Sequence, residues 1–370
     1  MPKWINLSYA NVATTSKSAK ITESRWAEKI ANGGAAEFDG NDERDALLPL
    51  RNSSAKLLNC SVDNMCAGSS ATEILSSLAW AIFPKSGSNI VSTKTSFPST
   101  VYPWARVANQ NGAEIRLAKH NDELYTKFND IIELIDENTS VVTISHVEYS
   151  NGQRYNLKKL AEATHSVGAL LIIDATQSMG LIPLDTQKIN ADAIVSAGYK
   201  WLRGNFGAAV GYISSNILND YTPGLVGFRS NSDIWDLDPS RLKFPKSANK
   251  FEFSTVHFGA SIGLSRAIDE LNSIGMEKIW SHSMTLTDKL KEGLDNLNLK
   301  IISPMDEKER SGIVSIKLPP NTSSDEISHI LQKEYSIIVS SRSGFIRISP
   351  HIDNTISDVN QLIIALSEII

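Results

Sequence analysis

Asp174 and Lys200 are the residues of this sequence best placed to do chemistry. Asp174 ends an uninterrupted apolar run, Ala169 to Ile173; Lys200 follows a second apolar run around Ala193 to Val195 and precedes a glycine-rich turn, Gly204 to Gly207. Short apolar runs of this kind read as strands buried on both faces, and an acid at the C-terminal end of a buried parallel strand commonly serves a ligand. A lysine brought to the same edge would sit in a partly dry pocket, where desolvation lowers the amine's pKa and makes it nucleophilic. Taken singly, Asp174 could cap a turn and Lys200 could be a solvated loop lysine. Taken together they suit pyridoxal 5'-phosphate (PLP), which needs a lysine for its Schiff base and a carboxylate to keep its ring nitrogen protonated.

The pattern D-A-T-Q-S-M-G from Asp174, followed by G-Y-K-W-L-x-G-x-x-G from Gly198, resembles the class V aminotransferase group of PLP-dependent enzymes of fold type I. That group includes cysteine desulfurases, kynureninases and isopenicillin N epimerase-like proteins. The resemblance implies that Lys200 forms the Schiff base, that Asp174 pairs with the pyridine nitrogen and that Gln177 bonds the ring's phenolic oxygen.

The resemblance extends along most of the chain. After Ser69 and Ser70, the apolar residues Ile74, Leu75, Leu78, Ala79 and Ile82 share one helical face. The first turn of such a helix is a natural phosphate seat, and the family pattern implies Ala71 and Thr72 for that role. In T-S-F-P-S-T-V-Y-P-W the ring-stacking position falls on Phe97, where desulfurases carry His; a core aromatic is the alternative. An ungapped count back from Asp174 puts Tyr149 at the family's cofactor-side asparagine, with Asn151 as the other candidate. Tyr199 can donate its hydroxyl to the phosphate, whereas Ala197 lacks the serine usual just before it. F-E-F-S-T-V-H-F-G resembles the family's F-E-x-G-T-P, which implies that Thr255 reaches the phosphate of a neighbouring subunit in a homodimer with shared active sites. R-I-S-P-H-I-D-N-T-x-x-D implies Arg347 as the substrate-carboxylate anchor, a bidentate task that lysine cannot match. Arg342 stays open between a side-chain pocket and the surface. The segment I-N-L-S-Y-A-N-V-A-T-T resembles an arm across the site's mouth, placing Asn11 near the substrate, with an arm packed on the smaller domain as the alternative.

Strands expected at Ile90 to Ser92, Glu114 to Ala118 and Val141 to Ile144 alternate with helices such as Leu157 to Val167, which predicts an α/β fold with a mostly parallel central sheet. At 370 residues the chain exceeds one core. It is expected to divide into an N-terminal arm (1–15), a PLP-binding large domain (16–258) and a small C-terminal α+β domain (259–370). Thr222 to Lys250 reads as an irregular loop over the entrance. The last domain is expected to hold strands at Ile313 to Leu318, Ile337 to Ser340 and Phe345 to Ser349. A net charge of -5 without a basic block argues against nucleic-acid binding. No apolar run approaches the roughly eighteen residues of a membrane span, and MPKWINLSYA lacks a signal-peptide core, so a cytoplasmic location is expected. Cys60 and Cys66 are not spaced as C-x-x-C and have no histidine pair beside them, so no metal site is expected.

On PLP, a lysine freed by an incoming amino acid can take the Cα proton, after which the branches are transamination, epimerisation or loss of a β or γ group. Desulfurases use a cysteine on the loop before the substrate arginine, and Ser336 to Gly344 contains none. The expectation is therefore an enzyme acting at Cα of a small amino acid, transaminase or C–S/β-lyase in type and not a cysteine desulfurase of the usual kind. An epimerase or racemase is one alternative, and a non-catalytic PLP-binding protein is the alternative of another class.

Overall fold

The computed structural model describes residues 4–370. After β1 (Ile5–Asn6) come the strands of a seven-stranded sheet: β2 (Met65–Gly68), β3 (Asn89–Thr93), β4 (Glu114–Ala118), β5 (Thr139–Ser145), β6 (Leu170–Asp174), β7 (Ala193–Ala197) and β8 (Ala209–Ile213). Their spatial order is β2-β8-β7-β6-β5-β3-β4. The run from β7 to β4 is parallel, while β8 is antiparallel to both its neighbours. This is the expected α/β architecture, with helices on both faces.

Alternation along the strands explains the two layers. Leu171, Ile173 and Ile194 face one core with Leu160, Leu264 and Leu271, while Ile172, Ala193 and Val195 face the other with Leu75, Leu78 and Trp104. Side chains two apart on a strand share a face. Each fully buried Leu or Ile contributes about 1.5–3 kcal/mol, so the central strands are clamped from both sides and their C-terminal ends are held in fixed relative positions.

The chain continues into β9 (Lys300–Ile301), β10 (Val314–Lys317), β11 (Ile337–Ile338), β12 (Ser340–Arg342) and β13 (Phe345–Ile348). Four of these form an antiparallel sheet in the order β12-β13-β10-β9. Helices Ser324–Tyr335 and Ile356–Ile369 cover it, around Leu290, Ile316, Leu331, Ile346 and Leu362. The single strand expected over Ile337 to Ser340 is two: β11 leaves this sheet and pairs in parallel with β1. The arm thus packs on the smaller body, and it also crosses to the larger one, where Ala13 N donates to Tyr199 O at 3.0 Å. Helix Phe258–Ile274 places Leu264, Ile268 and Leu271 in the large core, and the small core first takes a residue of the following helix at Leu286.

Helix Pro98–Asn111 and strand β8 were not foreseen. Residues 222–250 are irregular apart from 3-10 turns at Phe228–Ser230 and Ala248–Phe251. Among the described residues no helix is long and apolar enough to cross a membrane.

Candidate active site

The sheet's order reverses between β3 and β5, since the chain leaves β3 for β4 on one side and returns to β5 on the other. Ligand clefts of open α/β sheets form at such a reversal, beyond the C-terminal strand ends. A cavity lies there, and its wall includes Ala71, Phe97, Tyr149, Asp174, Gln177 and Lys200.

Lys200 is 8% exposed. Burial lowers its pKa from 10.5 to about 8; Asp174 opposes this fall, and Arg347 and Arg342 add to it. Its Nζ lies 5.5 Å from the Phe97 ring centroid and 5.8 Å from that of Tyr199. The segment beneath is tight. A Cβ on Gly198 would stand 2.6 Å from Leu264 Cδ2 and 2.8 Å from Ala208 O, and Gly180, at φ +95°, lets the D-A-T-Q-S-M-G turn press against the Trp201 carbonyl. The two glycines therefore seat the Asp174 and Lys200 motifs against each other and the core.

Asp174 is held at both oxygens: Thr176 N donates to Oδ1 at 2.9 Å and Thr100 Oγ1 to Oδ2 at 2.8 Å. Gln177 Oε1 accepts from Trp201 Nε1 at 2.9 Å, and Nε2 donates one hydrogen to Ala10 O at 2.9 Å. The amide's orientation is thereby fixed, and its second N–H is left for a ligand acceptor. Ser70 caps helix Ala71–Ile82 through Glu73 N, leaving the first-turn N–H groups of Ala71 and Thr72 without an intrahelical acceptor. The Thr72 hydroxyl donates to Ser99 Oγ at 2.9 Å.

Phe97, 42% exposed, meets Tyr149 edge to face at 5.4 Å between centroids. Of the two candidates around 149–151, Tyr149 lines the cavity. Asn151 is buried elsewhere, with Nδ2 donating to Leu124 O at 2.8 Å. Tyr199 stacks on Phe206 at 4.5 Å. Arg347 is 1% exposed; its Nη1 donates to Tyr149 O at 2.6 Å, while Nε and Nη2 are buried with no partner among the described residues. Arg347 lies behind Tyr149 and is not part of the cavity wall, and a buried guanidinium with open donors is costly until an acceptor reaches it. Arg342 Nη2 donates to Asn11 Oδ1 at 2.7 Å, which ties β12 to the arm. Asn11 is exposed and does not line the cavity. Thr255 is exposed as well and lies outside this chain's cavity wall.

Sequence reasoning missed Thr100, Thr176 and Trp201. Thr176 and Trp201 lie inside the two motifs that carry Asp174 and Lys200, whereas Thr100 sits in a helix that the sequence did not disclose.

The donor set fits PLP. It combines an amine of lowered pKa, a carboxylate fixed at the facing strand end, a helix start with open N–H groups and an aromatic face over the cavity.

The family model Aminotransferase class-V matches residues 39–362. A probable cysteine desulfurase of Pyrococcus abyssi is 27% identical over 331 residues, spanning 85% of this chain and 81% of that protein. One of Streptomyces coelicolor is 31% identical over 292 residues, spanning 78% and 66%. Among solved structures, the apo cysteine desulfurase of Thermococcus onnurineus NA1 superposes with a TM-score of 0.88 at 23% identity, covering 99% of this chain and 94% of that one. The cystine C-S lyase C-DES, in complex with its product cysteine persulfide, gives 0.90 at 19%, covering 99% and 98%. At those identities the structures establish the fold. The names of the relatives overturn the expectation that the chain stands apart from cysteine desulfurases, an expectation drawn from the cysteine-free segment 336–344 and from Phe97. The chain belongs to the class-V aminotransferase family, and its cofactor is pyridoxal 5'-phosphate.

Proposed function

We propose that the protein is a cysteine desulfurase, taking sulfur from L-cysteine and leaving L-alanine. The observation that carries this reading is the match to proteins named cysteine desulfurases across 85% of the chain. The bound cofactor supplies an electron sink for bonds broken at Cα. In this reading Lys200 would hold the cofactor, and its amine would move the proton at Cα. Asp174 pairs with the ring nitrogen, Gln177 with the phenolic oxygen, and Phe97 stacks on the ring beside Tyr149. The N–H groups of Ala71 and Thr72, with the Tyr199 hydroxyl, hold the phosphate. Arg347 binds the substrate carboxylate, while Asn11 acts from outside the cavity wall by accepting from Arg342. Thr255 completes the phosphate site of a second copy, which makes the working form a homodimer, and we place it in the cytoplasm.

Sulfur leaves to a thiol from outside the chain, because neither Cys60 nor Cys66 lines the cavity and burial pushes both thiols up, Cys60 to about 12. The reaction then balances as L-cysteine plus a thiol giving L-alanine plus a persulfide: the Cβ–S bond breaks, an S–S bond forms and Cβ gains hydrogen.

The test is to incubate the PLP-loaded protein with L-cysteine and dithiothreitol and to quantify alanine and sulfide. Equal release of both supports the proposal. Keto-acid formation from another amino acid, with no alanine from cysteine, would overturn it.

A further inference from the structure

Asp174 does not orient itself. Its carboxylate is pinned at Oδ1 by a backbone N–H and at Oδ2 by one side chain, the hydroxyl of Thr100. Thr100 is fully buried in the first turn of helix Pro98–Asn111 and does not line the cavity, so it reaches the site only through Asp174. The same turn carries Phe97: Thr100 N donates to Phe97 O at 2.8 Å, and Thr143 Oγ1, from β5, donates to Thr100 O at 3.2 Å. One helix turn therefore fixes both the aromatic face over the cavity and the angle of the carboxylate at its end, and a strand hydroxyl locks that turn to the sheet. The Thr100 hydroxyl is the donor in its bond to Asp174 Oδ2, so its one proton is committed.

We infer that Thr100 is a positioning residue for the cofactor ring, setting the rotation of the Asp174 carboxylate and coupling it to the placement of Phe97. This rests on the reading of Asp174 as the ring-nitrogen partner. Without the Thr100 hydroxyl one carboxylate oxygen loses its buried donor, and the plane of the group is no longer defined against the ring. Valine fills the same space with no donor, whereas serine restores the donor.

The experiment compares Thr100→Val, Thr100→Ser and Asp174→Asn with the parent as full-length proteins. PLP affinity is measured by titrating apoprotein, and the visible absorption of the bound cofactor is followed against pH. Thr100→Val should bind PLP about tenfold more weakly, the loss expected for a hydrogen bond to a charged group, and should shift the absorption midpoint, while Thr100→Ser stays within about twofold of the parent. Melting of the apoproteins separates this from a general loss of structure, and Thr100→Ala serves the same comparison if the valine variant does not fold. Parent-like affinity and absorption in Thr100→Val, with Asp174→Asn impaired, would overturn the role of Thr100 alone. Equal impairment of the valine and serine variants would overturn it too, since shape and not the hydroxyl would then matter. An unimpaired Asp174→Asn would instead remove the reading of Asp174 on which the inference rests.

Discussion

Replacing Lys200 with methionine should stabilise the apoprotein below pH 8 and lose that advantage as pH rises. The amine is buried beside one carboxylate and near two guanidinium groups. Its pKa falls from 10.5 to about 8, which at roughly 1.4 kcal/mol for each tenfold change in proton affinity makes the ammonium form cost the folded state about 3 kcal/mol. The sign follows from the two limits. Below about pH 8 the folded and unfolded chains both carry the proton, so the whole cost is present; above about pH 10.5 neither does, and the cost is gone. Between those limits the unfolded chain binds more protons, so the parent gains stability with rising pH relative to Lys200→Met. Urea unfolding of both apoproteins at about pH 7 and about pH 10.5 measures the change, and comparing the two proteins cancels groups that titrate in both. A parent-to-variant difference that is the same at both pH values would refute the reasoning, because the lysine would then not be a buried cation. The same shift predicts that capture of PLP by apoprotein accelerates as pH rises through about 8, where the neutral amine becomes the main form.

Two further outcomes are expected. Arg347→Ala should raise KM for L-cysteine roughly ten- to hundredfold, the 1.5–3 kcal/mol of a lost charge-assisted pair, with a smaller effect on kcat; steady-state kinetics with an unchanged KM would take Arg347 out of the substrate site. If Thr255 completes the site of a second copy, Thr255→Ala should weaken PLP binding in the dimer but not in protein diluted to monomer, and sedimentation combined with cofactor titration would show any loss that persists in the monomer.

The sheet was legible because its strands are short apolar runs, and Ile172 and Ile173 facing opposite cores is what such a run encodes. The cofactor end of the site was legible for a related reason: Asp174, Gln177 and Lys200 lie within two contiguous stretches that the fold places side by side. Strand β8 was hidden because Ala209 to Ile213 follows directly on a glycine-rich turn and carries its own Gly211, which reads as loop. Helix Pro98–Asn111 was hidden by Pro103 inside it, a residue that ordinarily breaks a helix. The links that orient the site span distances no local pattern reports. Thr100 meets Asp174 across 74 residues, and Gln177 meets Ala10 across 167.

The exclusion of desulfurase chemistry failed because it was drawn from residues that act around the reaction and not at its centre. A sulfur acceptor meets the substrate after the electrons at Cα have been mobilised, so a thiol brought from solution can do the work of one carried on a loop. The stacking position is separable in the same way, since an aromatic π face packs on the ring whether or not its edge carries a nitrogen. What a histidine adds is a proton carrier near pH 7. In the cofactor-free chain, burial brings the pKa of the Lys200 amine to about 8, and its Nζ lies 5.5 Å from the Phe97 ring centroid. A general acid–base works best when its pKa lies near the operating pH, and burial moves Lys200 toward that condition whether the ring stacked beside it is a phenyl or an imidazole.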